Sequence, residues 1–287
     1  MGNFPLPGMG RAVVAVPAPG AGPGWWAGAS SAAPDGEGGF VVGYRVRNGH
    51  DGIDQTVVAR SSDGETFTTV ATLDQARFGA QWMERPAVVR TPEGRWRLYV
   101  CCGTPQSKHW WIEALEAADP EGLAAAEARP VFPGDERMAV KDPIVQLRDG
   151  RWHAWICCHP LDVPGAEDRM SSAYATSDDG WSWDWHGTVL SGRPGAWDAR
   201  GARLTTVLSD GRAAYDGRAS AEENWFERTG LAAATGRDGR FEQAEGPPVA
   251  DVRYLDVLPL PGGGHRIWYE ARLPDERHEL RTEHVGG

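Results

Sequence analysis

Two series of turns, offset by about half a period, run along the chain and repeat every 53 to 61 residues. The first sets an acid-glycine or glycine-glycine pair before a strand-like run: Glu93-Gly94-Arg95-Trp96, Asp149-Gly150-Arg151-Trp152, Asp210-Gly211-Arg212-Ala213 and Gly263-Gly264-His265-Arg266. Asp35-Gly36 through Phe40 is a looser copy. The second series is Asp63-Gly64, Glu121-Gly122, Asp179-Gly180 and Asp238-Gly239, spaced by 58, 58 and 59 residues. Glycine here supplies the positive φ that a tight turn between strands needs. Two independent series at one period imply a repeated supersecondary unit.

Each unit holds four strand-like runs. In the third copy they are Ile144 to Leu147, Trp152 to Cys158, Ser171 to Thr176 and Trp183 to Val189. Four antiparallel strands in roughly 57 residues is one propeller blade. The expected fold is therefore all-β, a single domain over residues 1–287 built as a five-bladed β-propeller. In the last copy Glu279 to His284 reads as a third strand with no fourth behind it, while Arg11 to Val16 is a strand-like run left over at the other end. Pairing of 11–16 with the last blade would close the ring and cover an open edge. Ile112 to Ala118 and Leu123 to Ala128 have helical propensity, but the repeat register makes the first a third strand and the second a connection.

Charge narrows the partners. The formal net charge is −11, the pI is near 5.2 and there is no basic run, which disfavours a nucleic acid. Lysine occurs only as Lys108 and Lys141, a bias that reads as genome composition rather than chemistry. No window has the length and apolarity of a membrane span, and the first residues lack a signal-peptide pattern, so a soluble, cytoplasmic protein is expected. Cys101-Cys102 and Cys157-Cys158 fall at equivalent strand ends without a disulfide or zinc spacing, and read as buried reduced thiols.

In such a ring the innermost strands gather their first residues around one mouth. Those residues are Trp25-Trp26, Glu84-Arg85-Pro86, Lys141-Asp142-Pro143, Trp197-Asp198 through Arg203, and Arg253-Tyr254. Aromatic faces with acids and arginines suit a sugar-like ligand, and two carboxylates can divide acid and base work at a glycosidic bond. Asp142 is placed just before its strand, with Pro143 at the strand's start. The loop Ser220 to Trp225 adds Glu222-Glu223, and His159 and His109 lie on loops bordering the mouth. Tyr215-Asp216-Gly217-Arg218 and Tyr269-Glu270-Ala271-Arg272 share a repeat position and read first as ion pairs between blades, with Asp216 and Arg218 second-line ligand contacts. Trp96, Trp152 and Trp268 recur in register and belong to the core. Trp25, Trp26 and Trp225 do not recur, which makes them stacking candidates.

The five-fold repeat, Lys141-Asp142-Pro143 and the stretch from Arg253 to Glu283 resemble the five-bladed β-propeller glycoside hydrolases, the superfamily of arabinanases, β-xylosidases, α-L-arabinofuranosidases and fructosidases. The resemblance implies an acidic base or nucleophile in the first blade, an aspartate of an Asp-Pro pair that tunes the others, and a glutamate general acid. Asp142 matches the second. The first-blade stretch Gly24-Trp25-Trp26-Ala27-Gly28 holds no carboxylate, which makes Glu84 the candidate base and Asp198 or Glu223 the candidate acid. The substrate-binding set is Trp25, Trp26, Arg85, Lys141, His159, Asp216, Arg218, Trp225, Arg253 and Tyr254. No cofactor is expected, although the resemblance leaves open a structural calcium in the central channel. Two rivals remain: a lyase- or cyclase-type tailoring step on a small metabolite, and a non-catalytic carbohydrate-binding propeller whose mouth acids are all paired with arginine.

Overall fold

The computed structural model describes residues 4–50, 52–236 and 239–286; Asp238 of the second turn series lies outside them. After β1 (Val13–Val16), the first sheet comprises β2 (Trp25–Pro34), β3 (Phe40–Asn48), β4 (Gln55–Ser61) and β5 (Thr68–Asp74). The second comprises β6 (Trp82–Arg90), β7 (Trp96–Gly103), β8 (Trp110–Ala117) and β9 (Ala128–Phe132). The third is β10 (Met138–Arg148), β11 (Arg151–Pro160), β12 (Ser171–Ser177) and β13 (Asp184–Ser191). The fourth is β14 (Gly201–Val207), β15 (Arg212–Arg218), β16 (Arg228–Ala234) and β17 (Phe241–Gln243). Last come β18 (Arg253–Pro259), β19 (His265–Arg272) and β20 (His278–Val285), beside which β1 lies antiparallel, Val13 opposite Thr282 and Val14 opposite Arg281.

Within each group neighbouring strands pair antiparallel in chain order. The last group and the first are joined by a single parallel pairing of Trp26 with His278, so these two make one eight-stranded sheet. Their rings stack there, centroids 4.9 Å apart and 13° from parallel, which draws the two strand ends together.

The turns explain the period. At the second-series turns, Asp63 and Asp179 each accept two following backbone N–H groups, from Glu65 and Thr66 and from Trp181 and Ser182, all at 2.8 Å. Gly64 and Gly180 take φ of +75° and +71° and donate to the hydroxyls of Ser61 and Ser177. One local code, written twice, gives one turn twice.

Packing follows the same order. Among the described residues five apolar clusters form, and each draws on two groups of strands. Val41 and Val58 meet Leu98 and Leu115; Tyr99 and Ile112 meet Trp152 and Ile156; Trp155 and Leu190 meet Leu204 and Tyr215. Leu208 and Ala214 meet Leu255 and Ile267, and the fifth cluster sets Phe40 and Val42 of the first sheet against Trp268 and Leu280 of the last. Trp96, Trp152 and Trp268 are all buried, as their recurrence requires.

Among the described residues, the first strand of each group breaks register with the second: between Gly28 and Ser31, Glu84 and Ala87, Lys141 and Ile144, Leu204 and Thr206, and Arg253 and Asp256. Pro86 and Pro143, which have no N–H to give a ladder, sit inside these breaks. Here the sequence expectation needs correcting: β10 begins at Met138, and Asp142 lies within the strand at its bulge, with φ of +51°, rather than before it. Bulges re-aim side chains, which is how five parallel breaks build a site. No helix among the described residues is long and apolar enough to cross a membrane.

Candidate functional site

Just before its break, the first strand of four groups sets one residue opposite its neighbour: Gly28 with Arg45, Glu84 with Cys101, Lys141 with Cys157, and Arg253 with Glu270; in the fourth group the matching pair, Arg203 with Asp216, lies one residue before the break's edge at Leu204. One repeat position thus carries five different chemistries. The small partners leave room. A Cβ on Gly28 would come within 2.3 Å of Glu270 Oε2, so glycine at this position is what admits the Glu270 carboxylate.

The charges of these pairs join into one buried chain. Arg45 bridges Glu84 at 2.7 Å and Glu270 at 2.5 Å; Glu270 also takes Arg253 at 2.8 Å and the Nδ1–H of His278 at 2.6 Å. Arg253 continues to Glu227 at 2.7 Å, Glu227 to Arg218, and Arg218 to Asp168 at 3.5 Å. Beside it, Arg203 holds Asp142 at 2.8 Å and Asp216 at 2.6 Å. Arg203 also donates to the hydroxyl of Tyr254, which lies 3.3 Å from Glu84 and 3.4 Å from Asp142. Burial, opposed by Arg203 and reinforced by the two carboxylates, raises Tyr254 well above its ordinary value, so it keeps its proton. That single proton serves two carboxylates and couples them.

Above this chain opens a cavity of about 580 Å³. Glu84 and Lys141 belong to its floor; Trp26, Trp82, Trp110 and Trp225 wall it; His159, Glu167, Asp168 and Asn224 come from the loops around it. Burial alone would raise the carboxyl of Glu84, but Arg45, Arg47, Lys141 and Arg253 outweigh it and hold the group well below its ordinary value. Asp168 is lowered likewise, Arg200 and Arg218 overcoming burial, and Glu270 falls to about 2 against the same penalty. Asp216, sealed from solvent, goes the other way: burial outweighs Arg203 and raises it. Trp26 is packed on the guanidinium groups of Arg45 and Arg47, 5.2 and 5.0 Å from the ring centre, while Trp225 is 42% exposed and tilts against Trp26.

Of the residues singled out in the sequence, Glu84, Trp26, Lys141, His159 and Trp225 line this cavity, and Asp142, Arg218, Arg253, Tyr254 and Asp216 form the charged layer under it. The others lie elsewhere. Asp198 is enclosed between Arg193 at 3.0 Å and the hydroxyl of Tyr215 at 2.7 Å. Glu223 accepts from Arg228 and from the backbone of Ala219, and Trp25 packs on Gly20 and Gly49. Arg85 spans the carbonyls of Ser30 and Thr205 and the carboxylate of Asp256, and lines a second, lower cavity of about 340 Å³. Sequence reasoning missed Arg45, Arg47, Asp168 and Glu227; only Arg45 carried a signal, its register with Cys101 and Asp216. A calcium ion does not fit here. No group of three or more acidic, histidine or cysteine side chains is placed to hold a metal ion among the described residues, and the carboxylates under the cavity are already matched by arginines.

No protein-family model and no curated protein sequence matches the chain. Solved structures do. A thermostable family-43 glycoside hydrolase matches 95% of this chain and 91% of its own, with a TM-score of 0.67 at 13% identity. An α-L-arabinofuranosidase from Lactobacillus brevis matches 90% of each chain, with a TM-score of 0.64 at 11% identity. A β-1,2-mannobiose phosphorylase from Listeria innocua, in complex with β-1,2-mannobiose, matches 99% of this chain and 93% of its own, with a TM-score of 0.61 at 12% identity. At such identities the likeness is one of fold, and the fold is of the kind found in the glycoside-hydrolase propellers that the sequence resembles.

Proposed function

We propose that this chain is a single-domain five-bladed propeller over residues 1–287, its ring closed by β1 against β20, and that it processes a small sugar-containing molecule in the upper cavity. The ring is supported by the five apolar clusters, the last of which returns to the first sheet. A cytoplasmic setting is supported by four buried cysteines, all free.

One observation carries the chemistry. Glu84 is an ionised carboxylate on the floor of a tryptophan-walled cavity, joined through the Tyr254 hydroxyl to Asp142. Its two oxygens face Arg45 and Arg47, so it acts as base or nucleophile and not as a proton donor. Asp142 acts through Tyr254: whichever carboxylate accepts the hydroxyl's hydrogen bond is the weaker base, so Asp142 tunes Glu84 without touching the sugar.

A screen of aryl glycosides for release of the aryl group tests this. Glu84→Gln should lose turnover by roughly 10²–10⁴-fold while still binding sugar, and Asp142→Asn should lose less. Unchanged turnover in a folded Glu84→Gln protein would overturn the assignment. The non-catalytic reading is favoured by a separate observation, the arginine partners of Glu84, Asp142, Asp168, Glu227 and Glu270. It predicts sugar binding with no turnover in any of the proteins.

A further inference from the structure

The two lysines of this 287-residue chain both line the upper cavity. Lys108 is exposed near Glu167, whose carboxyl it helps to lower. Lys141 is different: its side chain is 12% exposed, and the nearest carboxylate oxygen, Asp142 Oδ2, is 3.9 Å away. That is outside hydrogen-bond range. The same oxygen already takes Arg203 at 2.8 Å. The ammonium lies instead over the face of Trp110, 4.9 Å from the ring centre.

The other cations under the cavity are matched. Arg45, Arg47, Arg203, Arg218 and Arg253 each have a carboxylate within hydrogen-bond distance. Lys141 contributes to Glu84 only through space, since the direct partners of Glu84 are Arg45 and Arg47 and that of Asp168 is Arg200. A largely buried ammonium without a bonded anion is costly to hold, and an anionic ligand group offsets that cost.

His159 adds an independent requirement. Lys141 faces Cys157 across the β10–β11 ladder, and His159, two residues further, is on the same face. The Nδ1–H of His159 donates to the Glu167 carbonyl at 2.7 Å, which leaves Nε2 as the acceptor. That nitrogen is buried with no hydrogen-bond partner among the described residues. Burial, with Lys141 and the nearby arginines, holds the ring well below its ordinary value, so the lone pair is kept.

We infer that the ligand of the upper cavity is a sugar acid, its carboxylate meeting the Lys141 ammonium and a neighbouring hydroxyl donating to His159 Nε2. The inference rests on the reading of this cavity as a sugar site. A monoanion fits better than a phosphate dianion, because among the described residues a single buried cation there, Lys141, lacks a hydrogen-bonded anion.

Calorimetric titration with the methyl glycosides of galacturonic and glucuronic acid, against those of galactose and glucose, tests it on wild type, Lys141→Met and Lys141→Arg, with inorganic phosphate as competitor. The acids should bind at least ten-fold tighter than their neutral counterparts, Lys141→Met should abolish that preference and Lys141→Arg should keep most of it. Equal binding of acids and neutral sugars, or a preference that survives in Lys141→Met, overturns the inference and leaves the sugar site standing. Phosphate binding without sugar-acid binding overturns it in favour of an inorganic anion site. Binding of no sugar at all removes both the inference and the reading beneath it.

Discussion

The upper and lower cavities are both lined by first strands of the sheet groups, yet the glutamates under the one and the aspartate lining the other are held in opposite ways. Under the upper cavity Glu84, Glu227 and Glu270 each touch two arginines and are held below their ordinary range against burial. In the lower cavity Asp256 has one arginine, Arg85 at 3.3 Å, and one backbone N–H, from Ala32 at 2.9 Å. Burial wins there, and Asp256 is pushed up to about 6. The count of cations per carboxylate decides whether a buried acid stays charged, and only the upper end provides two.

The sharpest way to break this contrast is to remove the shared cation. Arg45 is sealed from solvent between Glu84 and Glu270. Arg45→Met leaves two buried carboxylates short of a partner and should cost roughly 3–5 kcal/mol in urea denaturation. Adding Glu270→Gln should recover part of that loss, because one uncompensated charge is then gone. A single variant as stable as wild type would mean that the ion-pair chain contributes nothing.

The pH dependence of the two ends separates them by sign. A carboxylate lowered in the folded state, such as Glu270 at about 2, contributes stability that is present above its unfolded value near 4 and lost as pH falls through 2. Asp256 is raised, so the folded state binds more protons than the unfolded one and stability falls as pH rises from about 4 to 6. Its side chain is only 16% exposed, so screening by solvent is small. Asp256→Asn should therefore flatten the stability curve over that window by about 3 kcal/mol relative to wild type. Parallel curves would show that Asp256 does not titrate there.

Much of this contrast could not be read from the chain alone, and the reason is range. The turns were legible because Asp63 and Gly64, or Asp179 and Gly180, fix their own geometry within a few residues. Once the period was known, Glu84, Lys141 and Asp142 followed from their place in it. Gly28 did not, because its meaning depends on Glu270, which arrives from the far end of the sequence. Asp198 shows the converse: closeness to a strand's start does not set where a carboxylate points, and Arg193, five residues earlier, holds this one. Asp168 and Glu227 stand outside the strands, where no register constrains them. Lys141 was legible as a position, but its lack of a bonded anion was not, since that depends on where every arginine ends.

The smallest effect on stability is expected at the rim, where Trp225 combines exposure with a φ of +72°. A bulky residue in the left-handed region carries strain of order 1 kcal/mol or more, which persists where something else is gained. Its ring tilts against Trp26 at 5.6 Å and His50 at 6.5 Å, contacts too few to hold a core but enough to present an aromatic face to the cavity. Trp225→Gly removes the strain and the face together. The gain in backbone comfort and the loss of ring contacts should nearly cancel, leaving stability within about 0.5 kcal/mol of wild type. Sugar affinity should fall several-fold, whereas Trp225→Ala, which keeps the positive φ with a Cβ, should lose the affinity and be the less stable of the two. If Trp225→Gly binds sugar as well as wild type, the strained tryptophan is not part of the ligand's platform, and the upper cavity would differ from the lower in charge alone.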